Sequence, residues 1–236
     1  MSKSNPANNA KSTFDTAIAP LIRGTSSDDA IQKFSQTSFN YFYQLPIMAT
    51  KKERQRAAII GFKDEYFVET IINHVIRENQ LENIFYCKKV TANATAGIKG
   101  RTISINGQTQ DLTYGGDCVI FTKHDHQPIL IVECKEYIDM IRMKELIGES
   151  RVIIEQLSLS TTNFPNIKLW VFAEVLELTS GWAYLFANSN LKHHIDKVFI
   201  VRDGKRKDKN NQPKIAELTR FRDEIKSFLL SHNMSA

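Results

Sequence analysis

Two short apolar runs most constrain what this chain can fold into. Asp117-Cys118-Val119-Ile120-Phe121 and Ile129–Tyr137 are rich in β-branched and aromatic residues and are separated by the polar turn Lys123 to Gln127. Such runs are strands. A turn this short cannot cross over a sheet, so the two strands pair antiparallel as neighbours. Their near-continuous apolar centres require burial on both faces, and therefore a sheet covered by other elements.

The rest of the chain supplies those elements. Lys51 to Asn79 places Phe62, Tyr66, Ile71 or Ile72, and Val75 or Ile76 at helical spacing, with Glu65, Glu69, Ile72 and Ile76 on one stripe. Ser26-Ser27-Asp28-Asp29 offers N-cap chemistry for a helix through about Phe39, and Phe14 to Arg23 is a short helical candidate. Ile84–Val90 is a strand. Arg101–Ile105 and Gln110–Tyr114 flank Asn106-Gly107, a hairpin turn signal. Asp139 to Leu159 is a helix with Ile141, Leu146, Ile153 and Leu157 inward. Ile167–Val175 and His194–Val201 are strands, and Ala216–Leu230 is an amphipathic helix. Trp182 to Asn188 fits helix or strand. This order predicts an α/β (α+β) fold: a central mixed β-sheet flanked by helices.

Length and composition fit one domain. The chain has 236 residues, 42% hydrophobic and 24% charged, enough for a sizeable core. Residues 1–13 are polar and read as a disordered lead-in, with 14–236 as the folded domain. No apolar run approaches the ~20 residues of a spanning helix, and no export signal is visible. Three cysteines cannot build a disulfide scaffold, so a cytoplasmic setting is expected. The net charge of +5 is unevenly placed. Residues 192–236 hold 11 of the 31 Lys and Arg but only 6 of the 26 Asp and Glu, so the whole excess lies there.

The chemistry concentrates where the two strands break their apolar pattern. Side chains alternate faces along a strand, so Glu133 and Lys135 share one face, and Asp117 can lie across from Glu133. Two carboxylates held together repel, and Mg²⁺ resolves that conflict, since it takes oxygen ligands from one or two carboxylates plus a phosphate. A lysine beside that metal can steer water and offset charge on a phosphorus centre. The competing reading is an ion pair at an exposed strand end.

In these residues the chain resembles the PD-(D/E)XK nuclease superfamily, which includes most type II restriction endonucleases. Asp117, Glu133 and Lys135 match its core motif, with Cys134 between the last two and Gly116 in place of the usual proline. The resemblance covers residues 60 to 175. It implies a restriction-endonuclease-like core, Mg²⁺ held by Asp117 and Glu133, and Lys135 placing the attacking water. It also implies a Glu from the preceding helix, Glu69 first and Glu65 second, and products with 5′-phosphate and 3′-hydroxyl ends. The function it implies is a type II restriction endonuclease acting on double-stranded DNA at a specific sequence. A homodimer is then expected on palindromic sites, with a cognate DNA methyltransferase encoded nearby. The alternatives are a structure-specific repair or recombination nuclease, separable on branched DNA, and an inactive DNA-binding protein of the same fold, separable by Lys135→Ala.

The remaining candidates are weaker. Lys205, Arg206, Lys207 and Lys209 form the densest basic run and are candidates for phosphate contacts, which position a protein without reading sequence. Lys99 and Arg101, near the hairpin, are candidate DNA contacts. His124 and His126 read as a polar turn, and His193-His194 as solvated surface. Cys87, Cys118 and Cys134 lack ligand spacing and read as small buried hydrophobes. Glu145 and Glu149 either support the site or pair on the surface with Arg142 and Lys144, the pairing being the first reading.

Overall fold

The computed structural model describes residues 6–92, 97–158, 167–183 and 195–233. A five-stranded mixed sheet runs in the order β1-β4-β5-β6-β7. Its strands are β1 Phe85–Val90, β4 Gly116–Thr122, β5 Pro128–Ile138, β6 Lys168–Leu176 and β7 Lys197–Ile200. β1 pairs antiparallel with β4, and β4 with β5. β5, β6 and β7 then run parallel. A separate hairpin is made of β2 Ile98–Ile105 and β3 Gln108–Tyr114. At its tip Asn106 and Gly107 have φ of +51° and +78°, the twist a two-residue hairpin turn requires.

Each face of the sheet has its own core. On one side Cys118, Ile120, Leu130, Val132, Trp170 and Phe172 meet the helices α1 Pro6–Ala17, α3 Ser27–Ser35, α7 Lys63–Glu78 and α9 Ile215–Asn233. Phe67 of α7 stacks on Phe34 at 4.1 Å and tilts against Phe172 at 5.8 Å. Phe221 of α9 stands edge-on to Phe172 and Phe199. On the other side Val119, Phe121, Ile131, Leu169 and Val171 meet α8, Met140–Ser158, through Met143, Leu146 and Ile153. The alternation read from β4 and β5 is therefore the division between two cores. Short helices α2 Ala19–Ile22, α4 Phe39–Tyr43, α5 Pro46–Ala49 and α6 Glu53–Ile60 complete the first layer.

The structure departs from the sequence reading in three places. The polar lead-in is helical from Pro6, because Ala10, Phe14 and Ile18 recur every fourth residue and are buried. Phe14 packs against Phe62 and Tyr66. The single helix expected over 51–79 is two, α6 and α7, broken at Gly61-Phe62, where glycine is the poorest helix former of the run. Ile141 is 67% exposed; the buried stripe of α8 runs instead through Met143 and Leu146, and Asp139 caps the helix by accepting from the Arg142 N–H at 2.9 Å. The N-cap at Ser26 is present, its hydroxyl accepting from Asp29 N–H at 3.2 Å. Among the described residues no helix is long and apolar enough to cross a membrane.

Candidate functional site

The antiparallel register, Cys118 opposite Val132, sets Asp117 opposite Glu133. The backbone confirms the closeness: the Cys134 N–H donates to Asp117 Oδ2 at 2.9 Å. The Lys135 ammonium lies 3.3 Å from Glu133 Oε2. Asp117, Glu133 and Lys135 thus meet at one end of β4 and β5, partly sheltered, with side chains 21%, 15% and 28% exposed. They open into a cleft of about 550 Å³ whose far wall is α8, at Gly148, Glu149 and Val152.

Gly115 and Gly116 make room for this arrangement. A Cβ on Gly116 would come within 2.7 Å of Val119 and 2.9 Å of Ile131, and one on Gly115 within 2.7 Å of the Val90 carbonyl. Asp117 can therefore take its place at the start of β4 only because two residues without side chains precede it.

The electrostatics follow from crowding. Burial pushes the Glu133 carboxyl up to about 7, and the charge on Asp117 adds to the push against the opposing pull of Lys135. Burial draws Lys135 down, yet Glu133 and Asp117 outweigh it and hold the ammonium above its ordinary value. Lys135 is therefore a fixed cation, suited to donating hydrogen bonds. Two carboxylates that resist joint ionisation are the donor set a hard divalent cation relieves. Among the described residues no group of three or more His, Cys, Asp and Glu side chains converges in metal-ligand geometry. Mg²⁺ needs no such group, since it keeps waters and takes substrate oxygens.

Of the two glutamates read from α7, Glu65 is the one linked through a lysine to Asp117. Glu65 pairs with Lys89 of β1, which itself lies 3.8 Å from Asp117. Burial, with Asp117 nearby, raises the Glu65 carboxyl. Glu69, the first choice from the helical stripe, lies one turn further on. Burial raises its carboxyl, and Lys11 and Lys89 are the charges that offset this. Glu149, for which surface pairing is the first reading and support of the site the second, faces the cleft and contributes to the field on Glu133 and Lys135. Helical spacing alone did not say which side of α8 the sheet would cover.

The basic run is not a free arm. Asn40 of α4 donates its N–H to the Lys209 carbonyl at 3.0 Å and its side-chain amide to Asn210 at 2.6 Å. Gln212 donates to the Gln36 carbonyl. Lys205, Arg206 and Lys207 remain exposed, while Lys209 is half-buried with its ammonium over the Phe39 ring. The Arg206 guanidinium stands 4.3 Å from the Tyr137 ring centroid and that of Arg142 stands 3.6 Å from it, which joins the loop to the strand bearing Lys135. Lys99 and Arg101 are in β2, but their side chains lie outside the described residues, as do His193 and His194. His124 pairs with Asp125 in the exposed turn.

The cysteines form a group. Cys87, Cys118 and Cys134 sit on three adjacent strands, all toward α7. Hydrogen bonds with Cys134 and Cys87 hold the Cys118 thiol down at about 6.

One buried assembly gave no signal in the sequence. Lys63 and Asp64, in the first turn of α7, meet Glu174 of β6 and Arg202. Lys63 lies 3.2 Å from Asp64 and pairs with Glu174, and Arg202 Nη1 lies 3.4 Å from Glu174. All four are at most 5% exposed. These charges are core because the break at Gly61 turns the start of α7 inward.

No family model matches the chain, and no curated protein does. Among solved structures it is similar to the type IIF restriction endonuclease Bse634I with cognate DNA. The match covers 94% of this chain and 92% of that one, with 10% sequence identity and a TM-score of 0.52. The five-stranded mixed sheet with its flanking helices is therefore a restriction-endonuclease-like fold.

Proposed function

We propose that the chain is a Mg²⁺-dependent endonuclease that hydrolyses double-stranded DNA at a specific sequence, as type II restriction enzymes do. The observation that carries this reading is the meeting of Asp117, Glu133 and Lys135 at the open end of β4 and β5, in a fold similar to that of an endonuclease solved on DNA. Asp117 and Glu133 would hold the metal. A bound Mg²⁺ lowers the pKa of its water and neutralises charge on the phosphate. Lys135, kept cationic by its two neighbours, donates to the attacking water and to a non-bridging phosphate oxygen. It thereby stabilises charge that grows as the fifth bond to phosphorus forms. Glu65 and Lys89 hold Asp117 from the other side of the sheet. Exposed Lys205 and Lys207 supply phosphate contacts, and a homodimer would match a two-fold DNA site.

The test is direct. Purified protein incubated with Mg²⁺ and phage DNA should give discrete fragments whose sequenced ends share one motif. Chelating the metal should stop cleavage. Cutting confined to branched DNA would transfer the activity to structure-specific repair, and cleavage that persists in chelator would exclude the metal mechanism. A DNA methyltransferase encoded beside the gene would favour restriction.

A further inference from the structure

The chemistry assigned to Asp117, Glu133 and Lys135 uses one ammonium, and Asp117 has two beside it. The second belongs to Lys89 of β1, which pairs with Glu65 and lies 3.8 Å from Asp117 Oδ1. The pairing of β1 with β4 brings it in. Lys88 faces Val119 but Val90 faces Gly116, so Asp117 and Cys118 together oppose Lys89 alone. Such a bulge re-aims a side chain and is common beside active sites. Here it sets Asp117 within reach of Lys89. Glu65 meets the same ammonium from the first turn of α7.

This contact differs from an ordinary surface ion pair. One ammonium serves two carboxylates, and those carboxylates stand close enough to hydrogen-bond each other. Glu133 crowds Asp117 as well. Three carboxylates therefore face two ammoniums, Lys135 and Lys89. Lys135 is the more sheltered of the two. The Lys89 side chain is 52% exposed and stands on an edge strand, so its flexible stem can swing away without unpacking the core. Once it has, three carboxylates face one ammonium, and the excess negative charge is what a divalent cation offsets.

We infer that Lys89 is a tethered counterion: it occupies Asp117 and Glu65 in the metal-free chain and is displaced when a divalent cation binds. Lys89 thereby sets metal affinity and touches none of the reacting atoms. The inference rests on the metal-holding role proposed for Asp117. In the metal-free chain the ammonium spares the fold the full repulsion of its crowded carboxylates. When metal arrives, the same ammonium is a competitor for them. The sign of its effect separates this role from scaffolding. A lysine that only positioned Asp117 would strengthen metal binding by its presence, whereas a lysine that competes weakens it.

The experiment titrates the full chain, without DNA, with Mn²⁺, which shares the oxygen preference of Mg²⁺, and follows the electron paramagnetic resonance signal of the free ion. Lys89→Met keeps the stem and removes the charge. It should bind Mn²⁺ at least about tenfold more tightly than the parent chain, as the Coulomb energy of a unit charge about 4 Å away allows. Lys89→Gln, neutral but polar, should show the same gain. Lys89→Arg, which keeps the charge, should not. Lys88→Met removes an ammonium that lies over the Tyr86 and Phe121 rings and should leave affinity unchanged. In an Asp117→Asn background Lys89→Met should bring no gain, which ties the effect to that carboxylate. Equal or weaker binding by the neutral Lys89 variants, while the parent chain binds Mn²⁺, overturns this inference alone. A gain shared by Lys89→Arg or Lys88→Met, or one that persists without Asp117, also overturns it. Absence of Mn²⁺ binding by every variant overturns it together with the metal role of Asp117.

Discussion

Lys135 shares a strand face with Glu133 and is separated from it by one cysteine that points the other way. This alternation makes its removal a clean experiment. Lys135→Ala should reduce DNA cleavage by at least about 10²-fold, the scale of a lost transition-state donor, while an electrophoretic shift shows DNA binding retained. Unchanged cleavage would remove Lys135 from the mechanism. A second residue, Asp64, sets a pH dependence. Its carboxyl is raised from 3.8 to about 8 in the folded chain, so between those values the folded state keeps a proton that the unfolded state releases. Its contribution to stability is present below about pH 4 and is lost as pH rises toward 8, by up to about 1.4 kcal/mol per pH unit. Urea midpoints of Asp64→Asn should lack this component, so the variant should gain on the parent chain from pH 5 to pH 8. A parallel pH dependence in the two chains would contradict the shift. Asp117, Glu133 and Lys135 were legible in the sequence because charges interrupt strands that are otherwise apolar. Lys63 and Asp64 were not, because a charged pair at the start of a helix is ordinarily solvated, and only the tertiary partners Glu174 and Arg202 make it core.

Among the elements, β4 and β5 carry the site, and the glycine pair before Asp117 sets where β4 begins. Gly116→Ala forces a methyl group against Val119 and Ile131. It should cost about 1–3 kcal/mol of stability by overpacking. It should also depress cleavage beyond that loss of folded protein, because Asp117 is displaced with the strand. Circular dichroism in urea and cleavage assays at matched folded fraction separate the two effects, and wild-type rates at matched fraction would show that Asp117 tolerates the shift. The strands and the Asn106-Gly107 hairpin were readable because period two and turn chemistry are local properties. The break between α6 and α7 was not, since the apolar spacing runs on across Gly61 and only packing decides where the axis bends. The same holds for Glu65 over Glu69. Both lie on one stripe of α7, and which turn meets Asp117 depends on how far the helix slides along the sheet.

For the whole molecule, the charge asymmetry becomes a statement about docking. The basic loop is pinned by Asn40 of α4 and by the bond from Gln212 to Gln36 at the end of α3, so its cations are presented on a fixed surface. Replacing Lys205 and Lys207 by Gln should flatten the dependence of log K on log salt by about 0.9 for each phosphate contact removed. Cut positions should stay the same. An unchanged slope would place DNA elsewhere on the surface. The pairing of α9 with α3 and with the Trp170 and Phe199 face has a consequence for synthesis. Ile138, the end of β5, leaves the ribosome 77 residues before Ile215 opens α9. At the usual pace of translation that interval is roughly 4–15 s. During it the strands that bear Asp117, Glu133 and Lys135 exist without the helix that seals one of their two cores. For the proposed nuclease this is a built-in delay, in which the nascent chain carries every reactive group and cannot yet hold them in place.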